Sequence, residues 1–187
     1  MKKVLVIYAI DEEFVPFSLA GCELRFVKSG IGKAASAMNL TKAICEERPD
    51  FVLNFGTAGT LNHQVGDVFV CNRFVDRDFQ AIHFPGLTHE IEVEEAFCRY
   101  ISQIWSLSDN HWGICNTGDS FVTQAETIHG DVVDMEAFAH ALVCQEFKLP
   151  FVAVKYVTDK IGENSVNHWA DKLADARATF IQWFERK

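Results

Sequence analysis

The sequence predicts an α/β fold with three α/β/α layers around a central mixed, largely parallel sheet. Short apolar segments typical of buried strands alternate along the chain with longer segments in which apolar residues recur every three to four positions. The length of 187 residues is that of one domain, and no internal repeat divides it. We therefore expect residues 1–187 to form a single domain.

The predicted strands are short apolar runs that end at polar residues or glycines. They cover 3–10, 23–29, 51–55, 67–74, 112–117 and 150–158. Gly56 is expected to end the third strand, and the turn Val65-Gly66 precedes the fourth. The N-terminal run is interpreted as a strand and not as a signal peptide, because Asp11-Glu12-Glu13 interrupts it and no small-residue cleavage site follows.

The predicted helices carry an apolar stripe with a period of 3.6 residues. They cover 32–47, 91–105, 135–147 and 168–186. Arg48-Pro49-Asp50 ends the first helix, since proline cannot continue one. The third is apolar on most sides and is therefore expected to be buried.

The composition excludes several classes of partner. Lys and Arg number 17 against 26 Asp and Glu, so the formal net charge is −9. Nucleic acids and anionic membranes select clustered Lys and Arg, and neither is expected to bind here. With 49% hydrophobic and 23% charged residues, and no run near 18 apolar residues, a globular chain without a membrane-spanning helix is expected.

The cysteine and histidine spacings give no metal pattern. The six cysteines lie at 22, 45, 71, 98, 115 and 144, and no two are closer than 17 residues. The histidines form no HExxH motif. We expect buried free thiols in a reducing cytoplasm, with no bound metal and no cofactor.

Ligands of open α/β sheets bind outside the strand ends, so the polar residues that follow each predicted strand are candidates for a site. These segments are Ala9–Glu13, Ser29–Lys33, Asn54–Thr60, Val132–Glu136 and Tyr156–Asp159.

The glycines of Gly30-Ile31-Gly32-Lys33-Ala34-Ala35 fit a dinucleotide fingerprint loosely. A true fingerprint has an acidic residue after the next strand, whereas that strand ends here in Asn54-Phe55-Gly56. We interpret the glycines as a tight turn into a helix whose N-terminus remains able to contact a ligand.

Three carboxylates stand beside apolar runs, and each has a structural alternative. Glu136 lies among alanines, Met135 and Phe138, where it needs a partner or a ligand, or acts as a helix N-terminal acid. Asp159 ends a buried strand, and its alternative is a helix N-cap. Glu13 belongs to an acidic run, and its alternative is a solvated surface position. Together the three would form a site at the rim of one sheet.

Seven motifs occur in an order that resembles the methylthioadenosine/S-adenosylhomocysteine nucleosidases, within the wider nucleoside phosphorylase superfamily. They are Ala9-Ile10-Asp11-Glu12-Glu13, Ser29-Gly30-Ile31-Gly32-Lys33, Asn54-Phe55-Gly56-Thr57-Ala58-Gly59, Val65-Gly66-Asp67, Thr117-Gly118-Asp119-Ser120-Phe121, Val133-Asp134-Met135-Glu136-Ala137 and Val157-Thr158-Asp159. The resemblance implies a nucleoside phosphorylase-like fold, a homodimer, and hydrolysis of methylthioadenosine or S-adenosylhomocysteine to adenine and the thioribose.

The resemblance also implies roles for three catalytic carboxylates. Glu13 matches the acid that activates the attacking water, Asp159 the acid that protonates N7 of the purine, and Glu136 the carboxylate that binds the ribose hydroxyls. The residue types suit the chemistry, because cleavage of an N-glycosidic bond needs one group that delivers a proton and another that accepts one from water. The substrate-binding positions are Ile10, Thr57, Ala58, Gly59, Phe121, Val122, Asp134, Met135, Thr158 and Trp169.

Some of these positions have an expected contact. Met135 matches the side chain under the sugar, and Phe121 resembles the aromatic that stacks on the base. The backbone of Val122 is expected to read the base edge, and Thr158 to support Asp159. Trp169 is a candidate replacement for the family's aromatic lid, and its alternative is a core residue on the last helix.

Two alternatives to a nucleosidase remain at this point. A phosphorylase of the same fold would place arginines around phosphate, but Arg25, Arg48, Arg73 and Arg77 lie in none of the motifs. Water is therefore the expected nucleophile. A non-catalytic nucleoside-binding protein is the second alternative, because the chain resembles a shortened member whose shortfall falls around 76–112, the region that closes the 5′ pocket.

Further expectations concern single positions. Lys155 stands where the family usually has an arginine. Phe79, Phe84 and Trp112 are candidate contacts of a homodimer.

Overall fold

The computed structural model describes residues 1–80, 82, 85–105, 112–122, 128–162 and 165–185. Within them lie eight strands and four helices. In chain order these are β1 (Lys2–Tyr8), β2 (Cys22–Lys28), α1 (Lys33–Glu46), β3 (Phe51–Thr60), β4 (Val68–Asp76), β5 (Glu90–Glu92), α2 (Glu95–Trp105), β6 (Trp112–Thr117), β7 (Val132–Asp134), α3 (Ala137–Glu146), β8 (Phe151–Lys160) and α4 (Ser165–Phe184).

All eight strands belong to one mixed sheet with the order β2-β1-β3-β7-β6-β4-β5, and β8 pairs with both β3 and β4. Five of the strand pairs are parallel and three are antiparallel. The predicted mixed, largely parallel sheet is confirmed. The pairs β3–β7, β7–β6, β6–β4, β4–β8 and β8–β3 also close a ring of five strands, which the sequence did not predict.

Two apolar cores lie on the two faces of the sheet, as the three-layer prediction requires. Alternate residues of β1 face opposite ways, so Leu5 packs in one core and Val6 in the other. The first core includes Leu40 of α1 and Phe138 of α3. The second includes residues of α2 and α4, among them Phe180.

The predicted bounds agree with the structure to within two residues for most elements, and three differ more. The strand predicted to stop at 55 continues to Thr60, because Gly56 and Gly59 still pair with Lys155 and Asp159 of β8. The glycines thus do not end the strand, although the register shifts between Ala58 and Gly59.

The other two differences concern helix starts. The helix predicted over 91–105 begins at Glu95, since the residues before it form the short strand β5 against β4. The last helix begins at Ser165, three residues earlier than predicted, and its expected end at 186 lies outside the described residues. Over the described ranges, no helix combines the length and the apolar character that a membrane crossing requires.

Candidate active site

A cavity of about 250 Å³ opens where β3, β7 and β8 come together. Every predicted site residue except Thr158 lines it. Sequence reasoning missed five further lining residues, which are Ala9, Ile31, Ser120, Val133 and Ile161. Four of them lie within motifs already quoted, and Ile161 is two positions after Asp159. Their apolar or small side chains gave no chemical signal.

Glu13 is held in the connection between β1 and β2 by aromatic packing on both sides. Phe14 packs against Tyr8 and Phe26, with ring centroids 4.9 and 5.5 Å away. The turn closes with a hydrogen bond from the Glu13 N–H to the Ile10 carbonyl. The carboxylate is thereby directed inward, and Glu13 is only 5% exposed, so it does not belong to a solvated acidic surface.

Thr57 donates two hydrogen bonds to Glu13, and both end on the same carboxylate oxygen. The Thr57 N–H and hydroxyl both donate to Oε1, at 2.8 and 2.5 Å. Oε2 has no hydrogen-bond partner among the described residues. Burial raises the pKa of Glu13, while the two Thr57 hydrogen bonds and the charge of Lys155 oppose that rise. A carboxylate with a raised pKa is a stronger base.

Glu136 lies between β7 and α3, directly before the helix. Its Oε1 accepts a hydrogen bond of 3.0 Å from the N–H of Gly32, which is the residue before α1. The glycine turn of 30–32 therefore presents a helix N-terminus to a carboxylate, in accord with the predicted tight turn. Burial, followed by the charge of Asp134, raises the pKa of Glu136 to about 7.

Asp159 is placed by a β-bulge in β8. Ala58 pairs with Val157 and Gly59 pairs with Asp159, so Thr158 is an extra residue that faces no partner in β3. Such a bulge redirects the side chains that follow it. Asp159 belongs to the strand and lines the cavity, so it is not a helix N-cap.

Thr158 was predicted among the substrate-binding residues, and the structure corrects this. Its side chain is fully buried and lies away from the cavity wall. Its hydroxyl donates to Oδ1 of Asp159 at 2.8 Å and lies 3.3 Å from the Ala58 carbonyl oxygen. Thr158 therefore supports Asp159, as the resemblance implied, and does not itself line the cavity.

Asp134 lines the cavity, but its carboxylate is engaged by the protein. It accepts hydrogen bonds from the Thr117 hydroxyl at 2.6 Å and from the Ala137 N–H at 2.9 Å, and it pairs with Lys155 at 2.8 Å. Burial alone would raise the pKa of Asp134, but Lys155 and these hydrogen bonds lower it. Asp134 thus accepts the first N–H of α3 and pairs with a buried cation, so both of its carboxylate oxygens have partners within the protein.

Lys155 is fully buried on β8, and its positive charge acts on Asp134, Glu13 and Glu136. Burial would lower the pKa of its ammonium group, but the charges of Asp134 and Glu136 raise it. The pair with Asp134 is the compensation that a buried charge requires.

Apolar and aromatic side chains complete the cavity. Phe121 is 43% exposed at its edge, while Met135 is half-buried and Val122 is buried. Trp169 of α4 reaches the opposite side, where its indole N–H donates to the Thr57 hydroxyl oxygen at 2.9 Å. These surfaces suit a flat aromatic ligand, and the carboxylates suit hydroxyl groups.

No Lys or Arg side chain is among the described residues that line the cavity. The four arginines considered from the sequence bind elsewhere. Arg25 binds Glu46, Arg48 binds the Phe147 carbonyl, Arg73 binds Glu90, and Arg77 binds Asn116 and the Ser120 carbonyl. Within the same described part of the chain, no three His, Cys, Asp or Glu side chains are grouped so that they could hold a metal ion.

Comparison with known proteins agrees with this architecture. The sequence model described as the phosphorylase superfamily matches residues 11–186. A 5′-methylthioadenosine/S-adenosylhomocysteine nucleosidase of Geobacillus thermodenitrificans is 35% identical over 173 residues, covering 82% of this chain and 73% of the relative. The enzyme of the same name from Bacillus thuringiensis subsp. konkukian is 32% identical over 186 residues, covering 89% and 80%.

Solved structures show the same fold. The nucleosidase of Neisseria meningitidis in complex with methylthio-immucillin-A superposes with a TM-score of 0.82, at 26% identity over 95% of this chain and 94% of that one. The Helicobacter pylori nucleosidase with butyl-thio-DADMe-Immucillin-A gives 0.80 at 22% identity, covering 99% and 97%. The chain belongs to the phosphorylase superfamily and, within it, to the family of 5′-methylthioadenosine/S-adenosylhomocysteine nucleosidases.

Proposed function

We propose that the protein hydrolyses the N-glycosidic bond of 5′-methylthioadenosine and S-adenosylhomocysteine and releases adenine. The observation that carries this proposal is the convergence of Glu13, Glu136 and Asp159, all buried, on one cavity that no Lys or Arg of the described residues lines. The names of the curated relatives support the substrate class.

In the proposed reaction the bond between C1′ of the ribose and N9 of the purine breaks, and its electron pair goes to the base. Asp159 delivers a proton to N7, which neutralises the leaving purine. A water oxygen forms a new bond to C1′, and Glu13 accepts the proton that this water loses. The products are adenine and the thioribose, and every proton and electron pair is accounted for.

Glu136 has a different proposed role in the same reaction. A carboxylate close to the sugar binds the ribose hydroxyls and stabilises the positive charge that grows on the ring as the bond breaks. Its pKa of about 7 means that it is ionised in a large part of the molecules at neutral pH. Met135, beside it in the chain, would contact the ribose, and Phe121 and Val122 would contact the base.

Water is the proposed nucleophile, in preference to phosphate. A phosphate ion would meet Glu13 and Glu136 in a cavity that lacks a lining Lys or Arg over the described residues. The ammonium group of Lys155, which is buried close by, is already paired with Asp134. These charges would repel phosphate, so phosphorolysis is not favoured.

We also propose that the chain acts as a homodimer. Ile31 and Phe121 line the cavity and are 57% and 43% exposed, and Phe79 is exposed nearby beside Lys33. A second copy that covers these side chains would close the open side of the cavity. Of the other expected contacts, Trp112 is half-buried on β6, and Phe84 lies outside the described residues.

The setting of the reaction follows from the thiols and the substrate. All six cysteines are free, and Cys71, Cys115 and Cys144 are buried, which suits a reducing cytoplasm. The pathway role that we assign is methionine salvage, since cleavage leaves the methylthio group on the sugar product. We treat residues 1–187 as one domain, because both helical layers pack on one sheet.

The test measures release of free base by chromatography from methylthioadenosine, S-adenosylhomocysteine, adenosine and inosine, with and without phosphate. Adenine release that does not depend on phosphate is the expected result. The variant Asp159→Asn should lower kcat at least 100-fold, since it removes the proton donor. Asp175→Asn, on the exposed face of α4, is the matched control and should retain full activity.

Three other outcomes would count against the proposal. Turnover that requires phosphate would make the protein a phosphorylase. Tight adenine binding without release of base would make it a binding protein. Activity of Asp159→Asn within tenfold of the wild type would remove Asp159 from the role of acid.

A further inference from the structure

Three side chains from distant parts of the sequence form a hydrogen-bond relay that ends on Glu13. The indole N–H of Trp169, on α4, donates to the hydroxyl oxygen of Thr57, on β3, at 2.9 Å. The Thr57 hydroxyl then donates to Oε1 of Glu13 at 2.5 Å. Trp169 and Thr57 are 112 positions apart in the chain, so only the folded structure brings them together.

The direction of this relay is fixed by the chemistry of its first member. An indole N–H can donate but cannot accept, so the Thr57 oxygen must accept from Trp169. The single hydroxyl hydrogen of Thr57 is then left to point towards Glu13. Without the indole, a hydroxyl is free to rotate and to choose another acceptor.

The relay also determines which oxygen of Glu13 is left for the substrate water. Oε1 receives both the hydroxyl and the backbone N–H of Thr57, while Oε2 has no partner among the described residues. A general base needs one oxygen with accepting capacity and a fixed orientation. Two donors on Oε1 supply the orientation and leave Oε2 to accept the proton.

We propose that Trp169 is a positioning residue that holds Thr57 as a donor to Glu13 and so sets the orientation of the general base. This inference rests on the proposed hydrolysis and adds to it a residue that acts through Thr57. The contact of the Trp169 ring with the cavity is a separate property, because a phenylalanine would keep the ring and lose the N–H.

Other charges also act on Glu13 and must be held constant in a test. Lys155 on β8 lowers its pKa, and Asp134 at the end of β7 raises it. Glu136, before α3, interacts with Glu13 as a like charge. Trp169 carries no charge, so removal of its N–H changes Glu13 through Thr57 and not through the field of these groups.

The decisive variant is Trp169→Phe, with Trp183→Phe on the same helix as its matched control. Trp183 is buried against Trp105 and does not line the cavity. Loss of one hydrogen bond predicts that kcat for adenine release falls roughly threefold to tenfold, with KM changed less than threefold.

The acid limb of the kcat profile should move to higher pH, because Thr57 then stabilises the ionised Glu13 less well. Trp183→Phe should leave kcat and the pH profile unchanged.

A double-mutant cycle tests whether Trp169 acts on Glu13 through Thr57. Thr57→Val removes the hydroxyl and should shift the acid limb in the same direction, whereas Thr57→Ser keeps the donor and should restore the wild-type profile. Adding Trp169→Phe to Thr57→Val should lower kcat by less than a further twofold. If Trp169→Phe does not fold, the Thr57 pair still tests the relay.

Several results would overturn the inference. An unchanged pH profile in folded Trp169→Phe, or an undiminished effect of that change in the Thr57→Val background, would show that Trp169 does not act through Thr57. If the wild type releases no base, the proposed function fails on its own account. In that case ¹³C NMR of the Glu13 carboxyl group measures its pKa in the wild type and in Trp169→Phe. Equal pKa values would reject the positioning role of Trp169.

Discussion

Glu136 shows how a single buried carboxyl links stability to pH. Its side chain is 8% exposed and hydrogen-bonds to the N–H of Gly32. Burial and the nearby Asp134 hold its pKa at about 7, against an ordinary value of 4.5. The folded chain therefore keeps a proton on Glu136 over a range in which the unfolded chain has lost it.

The sign of the resulting pH dependence follows directly. Between about pH 4.5 and 7 the folded state binds more protons than the unfolded state at this position, so the free energy of unfolding falls as the pH rises. The difference of about 2.5 units corresponds to a loss on the order of 3 kcal/mol across this range. Glu136→Gln keeps an acceptor for Gly32 and removes that loss.

We expect Glu136→Gln to be more stable than the wild type at pH 8, and to lose this advantage at pH 4.5. Urea unfolding at both pH values measures the difference, and Glu146→Gln, at an exposed position of α3, serves as the control. The same variant should lose activity, since the amide carries no charge to stabilise the ribose. If the free energy of unfolding depended on pH in the same way for the wild type and Glu136→Gln, the raised pKa of Glu136 would be contradicted.

The sequence revealed the charged residues of the site better than the contacts between them. Glu136 and Asp159 could be selected because carboxylates beside apolar runs need a reason to be buried, whereas Glu13 lies in an acidic run and was selected through the resemblance. The bond between Trp169 and Thr57 could not be predicted, because it depends on how α4 lies across β3. Thr158 was assigned to the ligand, although the bulge in β8 turns it away from the cavity.

At the scale of elements, β3 and β8 together determine where the carboxyl groups of Glu13 and Asp159 lie. The two glycines of β3 leave room for them. A Cβ on Gly56 would lie 3.3 Å from Oε2 of Glu13, and one on Gly59 would lie 3.0 Å from Oδ2 of Asp159. The glycines therefore allow the two carboxyl groups to approach the strand closely. This explains why they lie inside β3, although the sequence pattern predicted that the strand ends at Gly56.

Gly59→Ala should displace the carboxyl group of Asp159 and leave the strand intact. The added methyl would lie at an ordinary contact distance of 3.5 Å from Cγ1 of Ile161, so the displacement falls on the carboxyl group of Asp159. We expect kcat to fall more than about tenfold, because misplacement of a proton donor by a few tenths of an ångström weakens proton transfer. The measurement is adenine release under saturating substrate, with circular dichroism to confirm folding.

Gly56→Ala is the comparison variant, because its methyl would meet Glu13 and not Asp159. Because Glu13 is the proposed base, Gly56→Ala should change the acid limb of the pH profile of kcat. Full activity of Gly59→Ala would show that Asp159 has more freedom than the contact allows.

Local patterns predicted most elements, and failed where an element depends on a distant partner. The strand β6 was predicted with its bounds, since Trp112–Thr117 is an isolated apolar run. The short strand β5 was predicted as the start of a helix, because its pairing with β4 is invisible in its own three residues.

At the scale of the whole molecule, the layers could be predicted from the alternation of strands and helices, but the ring of five strands could not. Two of its pairs, β4–β8 and β3–β7, are antiparallel, and nothing in the order of elements specifies them. The choice of partners depends on the curvature of the sheet, which the sequence pattern does not encode. The prediction of a single domain remains a prediction.

The proposed homodimer makes a prediction at this scale. Phe79 is an exposed apolar side chain of the proposed contact face and does not line the cavity. We expect the wild type to be a dimer of 21.1 kDa chains, and Phe79→Glu to be a monomer at micromolar concentration, because a buried unpaired carboxylate is costly.

Light scattering measures the mass of both forms. Ile181→Glu, at an exposed position of α4 in the opposite layer, should leave the dimer intact. A wild type that is monomeric under these conditions would remove the proposed assembly.

The closed ring has a consequence for how the chain is made. β3 is complete by residue 60, but its parallel partner β8 begins only at Phe151. A ribosome that has released the first half of the protein therefore exposes a strand with an open edge, and contacts of such long sequence separation form slowly. Until residues 151–160 emerge, β3 and β4 offer unpaired backbone to any neighbouring chain. Nascent protein is thus most exposed to misassembly and most dependent on chaperones in the interval before its last strand is synthesised.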